Sequence, residues 1–366
     1  MQDGAHIRPL TSLRFFAAFW VVLYHYWPKL AVGFTPAFVL KGYLGVEMFF
    51  TLSGFILSHV YLSSVGDGRF RYGSFLWARL ARVYPLHLAM LVLVGALAMA
   101  ALAAGIGVDR NILSWPSLPA NLLLLHAWGL APDAAWNHPS WSISAEWFAY
   151  LTFPVFAWGA LKLKDRPYLA LAMAAGGLLI LYAAFERLAG FPLTRATIFW
   201  GALRIVPCFA LGCASYLVFR SGAADRRSQA ALGAAFFGAG IGFGAEFGAP
   251  DGLLVLGFAG LILSLAKLAR AGSTFASHPA FVYLGEISYS VYMICIPWQL
   301  VFVNAAARVL HLPEKKLPLM VWLFFTAAVI PLSAASYHMI EKPARERMKL
   351  IAARRSAHAF ATAPAR

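Results

Sequence analysis

Apolar runs long enough to cross a lipid bilayer recur along the whole sequence. Hydrophobic residues make up 61% of the 366 residues and charged residues 12%. A membrane-spanning helix needs about 20 apolar residues, whereas a membrane strand shows about ten residues of alternating character. The continuous runs therefore predict an all-α protein, a polytopic transmembrane helical bundle. We place about ten spans, near residues 12–28, 41–63, 83–106, 142–161, 168–188, 196–219, 229–246, 252–270, 281–305 and 318–340.

The basic residues are distributed unevenly between the connections of these spans. With both termini in the cytoplasm, most lysines and arginines fall on the cytoplasmic side, as the positive-inside rule expects. The formal net charge of +15 is spread over short clusters between apolar runs. Nucleic-acid binding needs a continuous basic face on a soluble domain, so we exclude it. A multi-pass protein with membrane lipid as its surroundings is expected.

The cysteines indicate neither a disulfide framework nor a metal site. Cys208, Cys213 and Cys295 all lie inside apolar runs, without metal-ligand spacing. We therefore expect no metal. We also expect no cleaved signal peptide, because the first apolar run contains Arg14 and His25 and no small-residue cleavage site follows it.

Two regions depart from the pattern of simple spans. Residues 117–130 are apolar but short and bracketed by prolines, so we interpret them as a re-entrant segment or short helix. They belong to the longest outer connection, residues 105–141, which we expect to cover the site. Residues 1–347 form the integral membrane domain, and residues 348–366 are predicted to be a basic, disordered cytoplasmic tail.

The first span contains two ionisable residues, Arg14 and His25. A charge at the centre of a membrane helix costs roughly 2.5–3.5 kcal/mol, so such residues are candidates for function. Their separation of eleven residues is three helical turns plus about 20°, with a rise of about 16 Å. The two side chains are therefore predicted to share one helix face, one near the cytoplasmic surface and the other in the outer leaflet.

Two glutamates are predicted to reach the depth of His25. Glu47 and Glu146 each follow shortly after the outer start of a span. A histidine beside a carboxylate is the arrangement of a general base, since the carboxylate stabilises the imidazolium. The alternatives are a hydrogen-bonded interfacial histidine and a Glu47 that neutralises a basic partner. Arg79 and Arg82 are either membrane anchors or ligands for phosphate, which arginine binds bidentately.

Five motifs occur in order along the sequence. Their residues are Arg14 and His25; Gly45, Val46, Phe49, Phe50, Ser53, Gly54 and Phe55, with Glu47 at the acidic position between them; Arg79, Arg82, Tyr84 and Pro85; Trp141, Ser142, Ser144 and Glu146; and Tyr337, Ile340, Glu341 and Pro343. With these motifs the sequence resembles the acyltransferase 3 family of integral membrane acyltransferases, over about residues 6–347, and an acidic residue is usual in that family at the position of Glu47.

The resemblance implies transfer of an acyl group, most simply acetyl, from a cytoplasmic acyl-CoA such as acetyl-CoA. The acceptor would be a hydroxyl of a carbohydrate or lipid-linked glycan, and the location the bacterial inner membrane. His25 would act as general base or acyl relay. Glu47 and Glu146 would orient His25. The donor would contact Arg14, Arg79, Arg82 and Ser53, and the acceptor would contact Trp141, Ser142 and His138.

One residue departs from the family pattern, and one other function class remains. Cys295 stands in ISYSVYMICIP where the family commonly has histidine. The other class is a secondary transporter or flippase that relays protons through membrane His and Glu residues. Transporters commonly contain two related halves with broken helices at corresponding positions, and the sequence shows no such symmetry.

Overall fold

The computed structural model describes residues 7–222, 226–272 and 274–361. In these ranges the regular structure is helical, apart from an isolated bridge between Leu30 and Leu317. The predicted all-α class is therefore confirmed. The helices are α1 (Arg8–Tyr26), α2 (Ala37–Leu40), α3 (Gly45–Gly66), α4 (Tyr72–Ala103), α5 (Leu118–Leu122), α6 (Trp141–Leu151), α7 (Phe153–Lys162), α8 (Pro167–Ala189), α9 (Gly201–Arg220), α10 (Arg227–Glu246), α11 (Asp251–Arg270), α12 (Pro279–Glu286), α13 (Ser288–Val309), α14 (Leu319–Ser336) and α15 (Lys342–Ala361).

Seven helical stretches among the described residues are long and apolar enough to cross a membrane. They are Gly42–Gly66, Tyr72–Ala103, Pro167–Ala189, Gly201–Arg220, Asp251–Arg270, Ser288–Val309 and Leu319–Arg354. The predicted spans over α1, α6 with α7, and α10 are not among the seven. The helix breaks between α6 and α7 at Thr152, two residues before Pro154, because a proline ring cannot continue a hydrogen-bonded helix. The fold is that of a multi-pass membrane protein.

Helices α3 and α9 cross at two glycines, each facing the backbone of the other helix. A side chain on Gly54 would overlap the carbonyl group of Phe209, and one on Gly212 would overlap that of Thr51. Small residues let membrane helices approach until their backbones touch, which increases packing contact. This close crossing fixes α3 against α9.

The two atypical regions are both partly helical. Residues 117–130 contain α5 and a 3₁₀ turn at His126–Trp128, as expected for a short-helix segment. Helix α15 continues to Ala361 and so extends into the residues predicted to form a disordered tail from residue 348. Ala, Arg, Lys and Glu are good helix formers and are frequent there. The last five positions of the predicted tail, 362–366, lie outside the described residues.

Candidate active site

Two neighbouring cavities contain most of the residues singled out from the sequence. The first, which we call the arginine cavity, lies between α1, α3, α4, α6 and α13 and has a volume of about 740 Å³, part of which is open to solvent. Its lining contains three arginines and one glutamate among the charged residues, so its formal charge is positive. The predicted site residues in this lining are Arg14, Ser53, Arg79, Arg82, Ser142 and Glu146.

Polar contacts hold two of these side chains in place. Ser53 Oγ donates a hydrogen bond of 2.6 Å to Glu146 Oε1. The Arg79 guanidinium lies over the ring of Tyr61, with Cζ 5.7 Å from the ring centroid. Arg79 Nε is buried and has no hydrogen-bond partner among the described residues. The cavity therefore offers fixed cationic donors to an anionic ligand.

The second cavity, which we call the histidine cavity, has a volume of about 560 Å³, part of it open to solvent, and its lining includes His25, His138 and Trp141. It shares Val46 and Tyr292 with the arginine cavity. Burial lowers the pKa of His138 below its ordinary value, so this ring is neutral near pH 7. Because Arg14 and His25 both belong to α1, one helix contributes to both cavities.

The sequence predicted that Glu47 and Glu146 lie beside His25, and the structure corrects this prediction because both carboxylates have other partners. Glu47 is fully buried, and its Oε1 accepts a hydrogen bond of 2.5 Å from Arg204 Nε. Glu146 lies in the arginine cavity, although Trp141, five residues earlier on α6, lines the histidine cavity. The depth of a residue along a helix does not determine the direction in which its side chain points around the helix axis. The two glutamate side chains therefore face partners other than His25.

Arg204 is the functional candidate that the sequence reasoning missed. It is 2% exposed, lines the histidine cavity and lies 157 residues after Glu47 in the chain. A lone arginine in the apolar run FWGALRIVPCF is the same signal that singled out Arg14, and it could have found this residue. Tyr289 and Tyr292, in the segment that departs from the family pattern, also line the arginine cavity.

Cys295 lies outside the linings of both cavities. It is buried, and its Sγ contacts the carbonyl oxygen of Tyr292 at 3.1 Å. Ser144 likewise serves the packing of the outer connection, donating a 2.7 Å hydrogen bond to the carbonyl oxygen of Leu124. Among the described residues, no group of three or more His, Cys, Asp and Glu side chains could hold a metal ion.

The family model described as "Acyltransferase domain" matches residues 9–338, which is most of the chain. The chain belongs to the acyltransferase 3 family. Family membership agrees with the helical fold and with the five motifs. No solved structure matches the sequence.

Two relatives of this family member are each 31% identical to it. Acyltransferase MdmB from Streptomyces mycarofaciens aligns over 233 residues, 58% of this chain and 57% of that protein. Protein 2 in the picA locus of Rhizobium radiobacter aligns over 188 residues, 48% of this chain and 94% of that protein. The alignment thus spans little more than half the length of MdmB.

Proposed function

We propose that this protein transfers an acyl group, acetyl in the simplest case, from acyl-CoA to a hydroxyl of a carbohydrate or lipid-linked glycan. The observation that carries the proposal is the pair of cavities. One is rich in arginine, the other contains His25, and they meet at Val46 and Tyr292. A reaction between a phosphate-bearing donor and a hydroxyl acceptor needs these two environments side by side. The bacterial inner membrane, with both termini cytoplasmic, is the proposed location.

The donor would occupy the arginine cavity. CoA carries several phosphate charges, and arginine binds phosphate oxygens with paired, charge-assisted hydrogen bonds. Arg14, Arg79 and Arg82 are the arginines in this lining, and Glu146 is already engaged by Ser53. Ser142, expected at the acceptor, lies in this cavity and is therefore reassigned to the donor side.

The acceptor hydroxyl would occupy the histidine cavity. His25 removes the hydroxyl proton as the oxygen attacks the thioester carbonyl carbon. The new C–O bond forms and the C–S bond breaks. The CoA thiolate leaves and takes up the proton that His25 holds. A covalent acyl-histidine relay is the second route, in which the ring nitrogen attacks first. His138 and Trp141 share the cavity and would contact the acceptor.

A thioester-release assay tests the proposal. Purified protein in liposomes would receive acetyl-CoA and, as the hydroxyl probe, octyl glucoside or an envelope glycan extract. We expect free CoA together with an acetyl mass increment on at least one probe. His25→Ala should abolish both signals while remaining folded.

The matched control is His311→Asn. His311 is exposed and adopts a positive φ of 51°, which asparagine tolerates, so this variant should retain full activity. Absence of CoA release by the unmodified protein with both probes would refute acyl-CoA transfer. Acylation by His25→Ala at the normal rate would remove that histidine from the mechanism.

A further inference from the structure

The Arg204 guanidinium is held on three sides. Nε donates to Glu47 Oε1 at 2.5 Å, and Nη1 donates to the carbonyl oxygen of Ala196 at 2.7 Å. Its Cζ lies 4.6 Å from the ring centroid of Trp141, at a distance that permits a cation–π contact. These contacts fix the position and the plane of the group.

The fourth side of the same group has no partner among the residues that the structure describes. Nη2 is buried and makes no hydrogen bond within the described part of the chain. A buried donor without an acceptor costs free energy, and a native protein keeps one where a ligand or water completes it. Arg204 lines the histidine cavity together with Trp141 and His25, so the unpartnered nitrogen belongs to a residue of that cavity's lining.

We propose that Arg204 Nη2 binds the acyl oxygen on which negative charge develops during transfer, and that Glu47 is its positioning residue. The proposal rests on the proposed function. When the acceptor oxygen attacks, the carbonyl π electrons move to the acyl oxygen, and Nη2–H donates to it. When the intermediate collapses, the carbonyl re-forms, the C–S bond breaks, and the CoA thiolate takes the proton from His25.

The surroundings of Arg204 suit this role. A donor fixed before the reaction needs no reorganisation, and in a site with little water its hydrogen bond to an oxyanion is strong. Glu47 is 0% exposed and Arg204 2%, so the pair lies away from solvent. Glu47 compensates the buried charge and orients the guanidinium through Nε, which explains why this carboxylate faces α9 and not His25.

Two variants separate this role from a purely structural one. Glu47→Gln combined with Arg204→Met removes both charges, so no unpaired charge remains buried. Arg204→Lys keeps a cation opposite Glu47, but one ammonium group cannot occupy the guanidinium's fixed positions toward Glu47, Ala196 and the acyl oxygen at once. The control, Asp67→Asn with Arg69→Gln, removes an exposed ion pair at the end of α3.

The assay is release of CoA from acetyl-CoA with the octyl glucoside or glycan probe that the unmodified protein accepts. We expect kcat to fall roughly 10²–10³-fold in both site variants, as for loss of one oxyanion donor. The KM for acetyl-CoA and CoA binding by calorimetry should change by no more than about twofold, because only the transition state loses a contact. The control should keep its kcat.

The outcomes distinguish the two proposals. If the unmodified protein releases CoA and either folded site variant keeps its kcat, the assignment of Arg204 is wrong while the proposed function stands. If the unmodified protein releases no CoA, the proposed function itself fails. A rise in KM with unchanged kcat would assign Arg204 to donor binding and overturn the oxyanion role. Should the double variant not fold, Arg204→Lys alone decides by the same criterion.

Discussion

Replacing Gly54 with alanine should destabilise the protein through the crossing of α3 and α9. A Cβ at this position would lie 2.9 Å from the carbonyl carbon and 3.1 Å from Cα of Phe209, and would overlap the carbonyl oxygen. Favourable contacts between non-bonded carbon atoms lie near 3.5–4.0 Å. The two helices must therefore separate by roughly 1 Å, because the obstructing atoms are backbone and cannot rotate away.

The expected cost follows from two opposing terms. Overpacking a well-packed interior costs about 1–3 kcal/mol, and the upper end applies where backbone is displaced. Alanine gains about 1 kcal/mol over glycine in a helix interior. The net destabilisation should be about 1–2 kcal/mol. Glu47 lies on α3 and Arg204 on α9, so separating the helices also weakens their ion pair.

Thermal unfolding in detergent at a fixed scan rate measures this effect, with loss of the main peak in size-exclusion chromatography as the readout. About 2–4 °C per kcal/mol is the scale for larger soluble domains. The matched control is Gly240→Ala on α10, where a Cβ meets no atom within 4 Å. We expect a lower midpoint for Gly54→Ala and an unchanged or higher one for Gly240→Ala. Equal midpoints for the two variants would refute the close crossing.

Three further changes have defined outcomes. Arg79→Gln should raise the KM for acetyl-CoA several-fold, and the difference from the unmodified protein should shrink at high salt, measured by CoA release. Asp251→Ala leaves Lys41, Tyr43 and Thr194 without the carboxylate that accepts from all three at 2.5–2.7 Å, so its unfolding midpoint should fall. Cys295→Ser should retain CoA release, since Cys295 is outside both cavity linings, and an inactive but folded variant would contradict this placement.

Local sequence patterns led to three predictions that can be compared with the structure. Arg14 and His25 are separated by nearly whole turns, and the structure places them in neighbouring cavities along α1. The apolar runs predicted the helical class because a backbone in lipid must satisfy its own hydrogen bonds. Arg79 and Arg82, interpreted from their motif as phosphate ligands, do line one cavity together.

The spacing of residues along the sequence does not show which distant helices pack against each other. Glu47 and Arg204 are 157 residues apart, and no local period reveals that α3 and α9 are neighbours. Depth arithmetic assigned Glu146 to His25, but rotation about the axis of α6 directs it into the arginine cavity. A buried charge does require a partner, so Glu47 alone implied a cation somewhere in the apolar runs.

Val46 and Tyr292, which line both cavities, bear on the electrical potential across the membrane of a cell that makes this protein. For transfer of the proposed kind, only a small acyl fragment has to pass this point, while the nucleotide carrier and the sugar remain on their own sides. Transfer of that fragment alone requires no continuous path for hydrated ions. Turnover can then proceed without discharging the electrical potential across the bilayer, which an open channel of the same length would do.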